Sequence, residues 1–255
     1  MTPWEIVGVL AAGFGAGAIN TVVGSGTLIT FPVLLAIGLP PVTATVSNGL
    51  GLLPGFAGGV FGYRRELAGQ RARVLRFGIV VTAGGLCGAI LLLTLPHSAF
   101  EMIVPVLVGL ALVLIALQPW IGKAVQRRRE RKGEPGSEFG GPWLHIGLFL
   151  ASVYGGYFTA AQGILYMALM GMFLGESLQR ANAVKNILAA MVNAVAALFF
   201  LFAAHFDWNV VLLLAAGSTV GGFVGGTLGR RIPSGVLRGL IVAVGTVALI
   251  QLLLR

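Results

Sequence analysis

Ten apolar segments succeed one another along the chain, near 4–22, 27–39, 43–62, 74–95, 98–121, 143–160, 163–174, 178–203, 209–228 and 236–254. A helix needs about 20 apolar residues to cross a bilayer core of about 30 Å. The second and seventh segments fall short, because about 13 helical residues reach only ~20 Å. Each of the two follows a small polar break, 24-GSG-26 or 161-AQG-163. Irregular backbone at membrane depth is tolerated only where it is buried in protein or lines a wet cavity. The pattern therefore predicts an all-α polytopic membrane protein with two short broken or re-entrant helices whose tips meet near the midplane. Composition agrees. The chain is 57% hydrophobic and 10% charged, where a soluble domain carries about 25% charge.

The two halves share an order of elements. The third segment of one reads 43-TATVSNGL-50 and that of the other 181-ANAVKNIL-188. Five segments is an odd number, so the second half enters from the opposite side, as in an inverted-topology repeat. The expected organisation is a first membrane repeat over 1–122, a basic cytoplasmic linker over 123–141 and a second repeat over 142–255. The net charge of +9 sits mostly in three clusters: Arg64 to Arg76, Lys123 to Lys132, and Arg230, Arg231 and Arg238. All three lie in or beside short connections, which is the positive-inside pattern of cytoplasmic loops. No aromatic residues are interleaved to stack bases, which argues against nucleic acid. The connections near His97 and His205 carry no Lys or Arg and belong outside, as do both termini, in a multi-pass protein of the cell (plasma) membrane. No Lys or Arg precedes the first segment, so a cleaved signal peptide is not expected. Cys87, the one cysteine, reads as a small buried residue. Glycines recur every fourth residue at 217, 221, 225 and 229 and at 51, 55 and 59. These small faces let helices pack closely, and they permit a homodimer without requiring one.

The broken helices carry the functional expectation. New helices start after 24-GSG-26 and after Gln162-Gly163. Free N–H groups are expected near Gly26, Thr27 and Leu28, and near Gly163, Ile164 and Leu165. A helix N-terminus carries roughly half a positive charge, so two converging ends suit a small anion. Gly24 and Gly26 would let an oxyanion approach the backbone. Asn20, Thr21, Ser25, Thr27, Thr159 and Gln162 could donate hydrogen bonds. The competing reading is a polar kink that packs helices. Lys185 either balances the anion or snorkels to the cytoplasmic surface. Arg180, four residues after Glu176, suits a local helix pair. Asn48, Asn186 and Asn193 serve as helix–helix glue or as cavity groups. No His or Cys pair has metal-ligand spacing, and no nucleotide loop or serine elbow is present. Neither metal, cofactor nor enzymatic activity is expected.

The run 13-GFGAGAINTVVGSGTLITFPVLLAIGLPPVTATVSN-48 resembles the first repeat of the sulfite exporter TauE/SafE family of membrane permeases. The stretches 155-GGYFTAAQGI-164 and 180-RANAVKN-186 look like its second repeat. The resemblance implies export, or sometimes uptake, of sulfite, of sulfonates such as sulfoacetate or of related sulfur oxyanions. It also implies that Asn20, Gly24, Ser25, Gly26, Asn48, Lys185 and Asn186 lie at or near the substrate path. Three departures stand out: Gly-Ser-Gly replaces a longer glycine run, Gly49 a frequent lysine, and Gln162 a glycine. The leading expectation is a secondary transporter, an exporter of a small sulfur-containing anion. The alternative is an anion channel, or a carrier for another small oxyanion or carboxylate.

Overall fold

Helix starts are written in the sequence. Thr2 accepts the Glu5 N–H at 3.3 Å while the Glu5 carboxylate accepts the Thr2 N–H at 2.8 Å. This reciprocal cap opens α1 (Pro3–Val22). Ser177 likewise caps α8 (Leu178–Ala203) by accepting the Arg180 N–H. The remaining helices of this computed structural model are α2 (Thr27–Ala36), α3 (Pro41–Gly62), α4 (Arg71–Thr94), α5 (His97–Lys132), α6 (Gly141–Tyr157), α7 (Gln162–Phe173), α9 (Trp208–Leu228) and α10 (Ser234–Leu253). The structure describes residues 1–132, 139–228 and 234–253, and no strand occurs among them. Among the described residues, five helices are long and apolar enough to cross a membrane: all or part of α1, α4, α5, α8 and α9. The chain is an all-α polytopic membrane protein. The two short segments form the short helices α2 and α7, and Pro32 lies inside α2. The start of the expected linker is helical, because α5 continues to Lys132. Arg230 and Arg231 lie outside the described residues, as does the Arg238 side chain.

Glycines bring the long helices into backbone contact. A Cβ on Gly217, Gly221 or Gly225 of α9 would overlap the carbonyls of Leu10, Phe14 or Ala18 on α1. The adjacent face of α9 meets α3 in the same way, Gly222 against Gly55 and Gly226 against Gly62. The glycine rows are therefore spent on packing within the chain. Gly229 lies outside the described residues. Cys87 departs from expectation: it is exposed on α4. The small faces of α4, at Gly84, Gly85 and Gly88, are the ones turned to α6 and α8, which leaves Cys87 outward.

The helix pairings are reciprocal between the halves. α1 packs on α9 as α6 packs on α4, α3 on α9 as α8 on α4, and α10 on α2 as α5 on α7. Connections gather by end. The α3–α4 loop meets the α7–α8 loop through Glu176, whose carboxylate binds Arg73 at 2.9 Å and Arg180 at 2.7 Å. Arg180 also donates to the Ala68 carbonyl, and Gln70 to the Arg180 carbonyl. Arg76 stacks over Phe139 at 4.0 Å, which brings the end of the linker to the same side. At the opposite end of α3 a cavity of about 500 Å³ is lined by Pro40, Thr43, Leu95, Phe100, Ala203 and His205, among others.

Candidate functional site: two helix breaks that meet

Both breaks turn through a left-handed residue. Gly24 has φ +87° and Ala161 φ +59°, the one non-glycine residue with positive φ among those described. A residue with a Cβ held there carries strain of about 1–2 kcal/mol, a feature that concentrates at functional positions. The next residue in each break is polar and buried, Ser25 at 0% exposure and Gln162 at 1%. The third is the glycine at the start of the short helix, Gly26 or Gly163. The tips touch: the Gly163 N–H donates to the Gly24 carbonyl at 3.3 Å. A Cβ on Gly24 would stand 2.7 Å from the Gly163 Cα, so neither position has room for a side chain. Phe31 and Phe158 pack edge to face at 5.2 Å beside the junction.

The expected free N–H groups are largely taken. The Gly26 N–H donates to Asn20 Oδ1 at 2.7 Å. Those of Leu28, Ile164 and Leu165 close local turns on Ser25 and Ala161 carbonyls. Nor does Gly26 open the backbone to a ligand, since its hydrogen side lies against the Ala16 carbonyl of α1. Asn20, six residues before Gly26, supplies the cap that a break this short leaves to a side chain.

Lys185 does not snorkel. It is 1% exposed, and its Nζ donates to the Asn20 and Thr21 carbonyls at 3.1 and 3.4 Å. Asn182 and Asn186 also donate to the Thr21 carbonyl, at 3.3 and 3.4 Å. Thus 180-RANAVKN-186 caps the unsatisfied C-terminal end of α1 with side-chain donors. Asn48 donates to Thr27 Oγ1 at 3.3 Å. The Thr21 hydroxyl turns back to the Gly17 carbonyl. Thr159 lies half-buried in the second break. Asn193 donates to its own helix at Ala189 and acts as local glue.

Four of these side chains keep a buried polar atom with no partner in the protein: Ser25 Oγ, Asn48 Oδ1, Gln162 Oε1 and Asn186 Oδ1. Buried polar atoms are ordinarily hydrogen-bonded, so four such exceptions on the elements that build one junction mark a place where something else supplies the partner. Sequence reading missed Tyr166, Ser152 and Asn182. Gln162 Nε2 donates to the Tyr166 hydroxyl at 2.7 Å, which lies 2.6 Å from Ser152 Oγ. The spacing of Gln162 and Tyr166, one helical turn, was visible, but a tyrosine in an apolar helix reads first as core. Among the described residues no group of His, Cys, Asp and Glu could hold a metal ion.

Away from the junction, burial pushes the Glu176 carboxyl up, but hydrogen bonds and charge from Arg73 and Arg180 outweigh it and hold the group below its ordinary value.

Apolar helices long enough to span a bilayer, enclosing a charged and polar junction of two broken helices, define a polytopic membrane transporter. The chain belongs to the family described as Sulfite exporter TauE/SafE, which matches residues 9–252. It is 26% identical over 239 residues to the "Probable membrane transporter protein YfcA" of Escherichia coli (strain K12), covering 93% of this chain and 86% of that one. It is 27% identical over 244 residues to the "Probable membrane transporter protein ORF9" of Sinorhizobium sp, covering 95% and 90%. No solved structure matches the chain.

Proposed function

We propose that this protein is a secondary carrier, an exporter, of a small sulfur-containing anion such as sulfite or an organosulfonate, bound where the two breaks meet. One observation carries the reading: the four unpartnered buried atoms of Ser25, Asn48, Gln162 and Asn186 beside the buried ammonium of Lys185. A cation inside a membrane bundle is costly and marks a substrate path or a pair. Among the described residues no carboxylate pairs with Lys185, whereas Glu176 pairs with Arg73 and Arg180. An anionic group on the substrate supplies the counter-charge that Lys185 lacks, while the three amide oxygens, which only accept, take their partners from donors on the substrate or from water. The reciprocal helix pairing supports an inverted repeat of two five-helix halves, whose rocking would expose the junction to each side in turn. The gathering of the basic α3–α4 loop, the α7–α8 loop and the linker end supports the orientation in which they face the cytoplasm and both termini face outward. The 500 Å³ cavity then lies on the outer side.

The test is counterflow in proteoliposomes. Preloaded sulfite or sulfonate should accelerate uptake of labelled sulfite, and preloaded chloride should not. Passive current without acceleration would favour a channel and sink the carrier reading.

A further inference from the structure

The junction presents an unusual balance of hydrogen-bonding groups. Its donors are largely engaged: the Asn186 amide at Thr21, the Gly26 N–H at Asn20 and the Gly163 N–H at Gly24. An ammonium has three N–H donors, and Lys185 uses two, on Asn20 and Thr21. What remains open on the two breaks, α3 and α8 is mostly acceptors: Gln162 Oε1, Asn186 Oδ1 and Asn48 Oδ1, with the Ser25 hydroxyl able to play either part; on α6 the Tyr154 and Tyr157 hydroxyls are also unpartnered.

The orientation of Gln162 is fixed by a chain of bonds that runs one way. Ser152 Oγ lies 2.5 Å from the Leu148 carbonyl, which can only accept, so the serine proton goes there. Tyr166 must then donate to Ser152 Oγ, and its oxygen is left to accept from Gln162 Nε2. With the carboxamide flipped, the single tyrosine proton could serve only one of its two neighbours, and the other contact would set lone pair against lone pair. Gln162 Oε1 is therefore held as an acceptor. α6 makes room for this carboxamide at Gly155, where a Cβ would overlap it. Asn186 is fixed by the same logic, since its Nδ2 faces the Thr21 carbonyl.

We infer that Tyr166 and Ser152 are positioning residues that hold Gln162 as an obligate acceptor, and that the site selects an anion carrying a hydrogen-bond donor, an O–H or N–H, on the same molecule. The inference rests on the transport reading above. The remaining N–H of Lys185 meets the anionic group, and the amide oxygens meet the donor. A bare oxyanion brings only lone pairs and leaves those oxygens unpaired. A site built to hydrogen-bond a polar group rejects the analogue that lacks it.

The experiment uses the full chain in proteoliposomes at neutral pH, with sulfite counterflow as the reference. Two competitors of equal heavy-atom count are compared, 2-hydroxyethanesulfonate and 1-propanesulfonate. The hydroxyl compound should inhibit at a concentration about tenfold lower, the scale of one buried hydrogen bond made or lost. In Tyr166→Phe the carboxamide is released. In Ser152→Ala the tyrosine proton turns onto Gln162 Oε1. Both variants should lose the preference while maximal sulfite exchange stays within about twofold, a change in selectivity that a mere packing defect does not produce. Equal inhibition by the two sulfonates, or by neither while sulfite exchanges, overturns the donor inference and leaves the transport reading standing. A preference that survives in both folded variants overturns the positioning roles. No exchange with any anion overturns the transport reading and this inference with it.

Discussion

Replacing Lys185 by methionine separates a structural staple from a functional charge. The side chain is 1% exposed and donates to two carbonyls, Asn20 and Thr21. Each charge-assisted hydrogen bond is worth about 1.5–3 kcal/mol, so about 3–6 kcal/mol is removed. The loss is cushioned at Thr21, whose carbonyl keeps Asn182 and Asn186. Against it stands the effective cost of burying an ammonium, several kcal/mol per ion, with no carboxylate paired to it among the described residues. The two nearly cancel. Lys185→Met should change stability by no more than about 2 kcal/mol, or about 5 °C in a thermal melt in detergent. Breaking a true buried ion pair would cost about 3–5 kcal/mol. Sulfite counterflow should fall at least about 100-fold, since the variant offers the anion no counter-charge. A melt lowered by 10 °C or more with exchange retained would refute the reasoning and make Lys185 a staple for the end of α1.

Gly24→Ala places a Cβ at φ +87° and 2.7 Å from the Gly163 Cα. It should destabilise by at least about 2 kcal/mol, and a neutral melt would mean that the tips do not touch. Glu176→Gln leaves the buried Arg73 with a weaker partner and should cost about 1–3 kcal/mol at neutral pH. Because the folded carboxyl titrates below its unfolded value, its contribution is present above that value and disappears as pH falls through the folded one. The gap between variant and parent in thermal melts should therefore close below about pH 4. Gly221→Val drives a side chain into the Phe14 carbonyl. It should lower the melt by more than Gly15→Val, which meets nothing within 4 Å.

Element bounds were legible because a bilayer imposes a length: 27–39 and 163–174 in the sequence became Thr27–Ala36 and Gln162–Phe173. The breaks were legible because Gly24, Ser25 and Gln162 are out of place in a lipid-facing helix. Partners were not. Lys185 could be recognised as anomalous, but its carbonyls lie 165 and 164 residues away, and nothing local to 180-RANAVKN-186 points to the end of α1. Asn20 was read as a donor to substrate, and that its oxygen also caps Gly26 was not legible. Cys87 was misplaced for a reason peculiar to membranes. Lipid is as apolar as a protein core, so an apolar neighbourhood does not say which face is covered.

The joining of the two breaks sets a problem for biosynthesis. The end of α1 is capped by Asn182, Lys185 and Asn186, some 160 residues later in the chain. At ribosomal speeds of about 5–20 residues per second, the first half waits roughly 10–30 s for them. During that interval the local bonds run to the Ile19 carbonyl, the Gly17 carbonyl and Asn20 Oδ1, and none serves the Asn20 and Thr21 carbonyls. The Asn20 and Thr21 carbonyls cannot rest in hydrocarbon meanwhile. The nascent first half must therefore be held in water or against the insertion machinery until α8 arrives, which makes the order of synthesis part of how this junction is assembled.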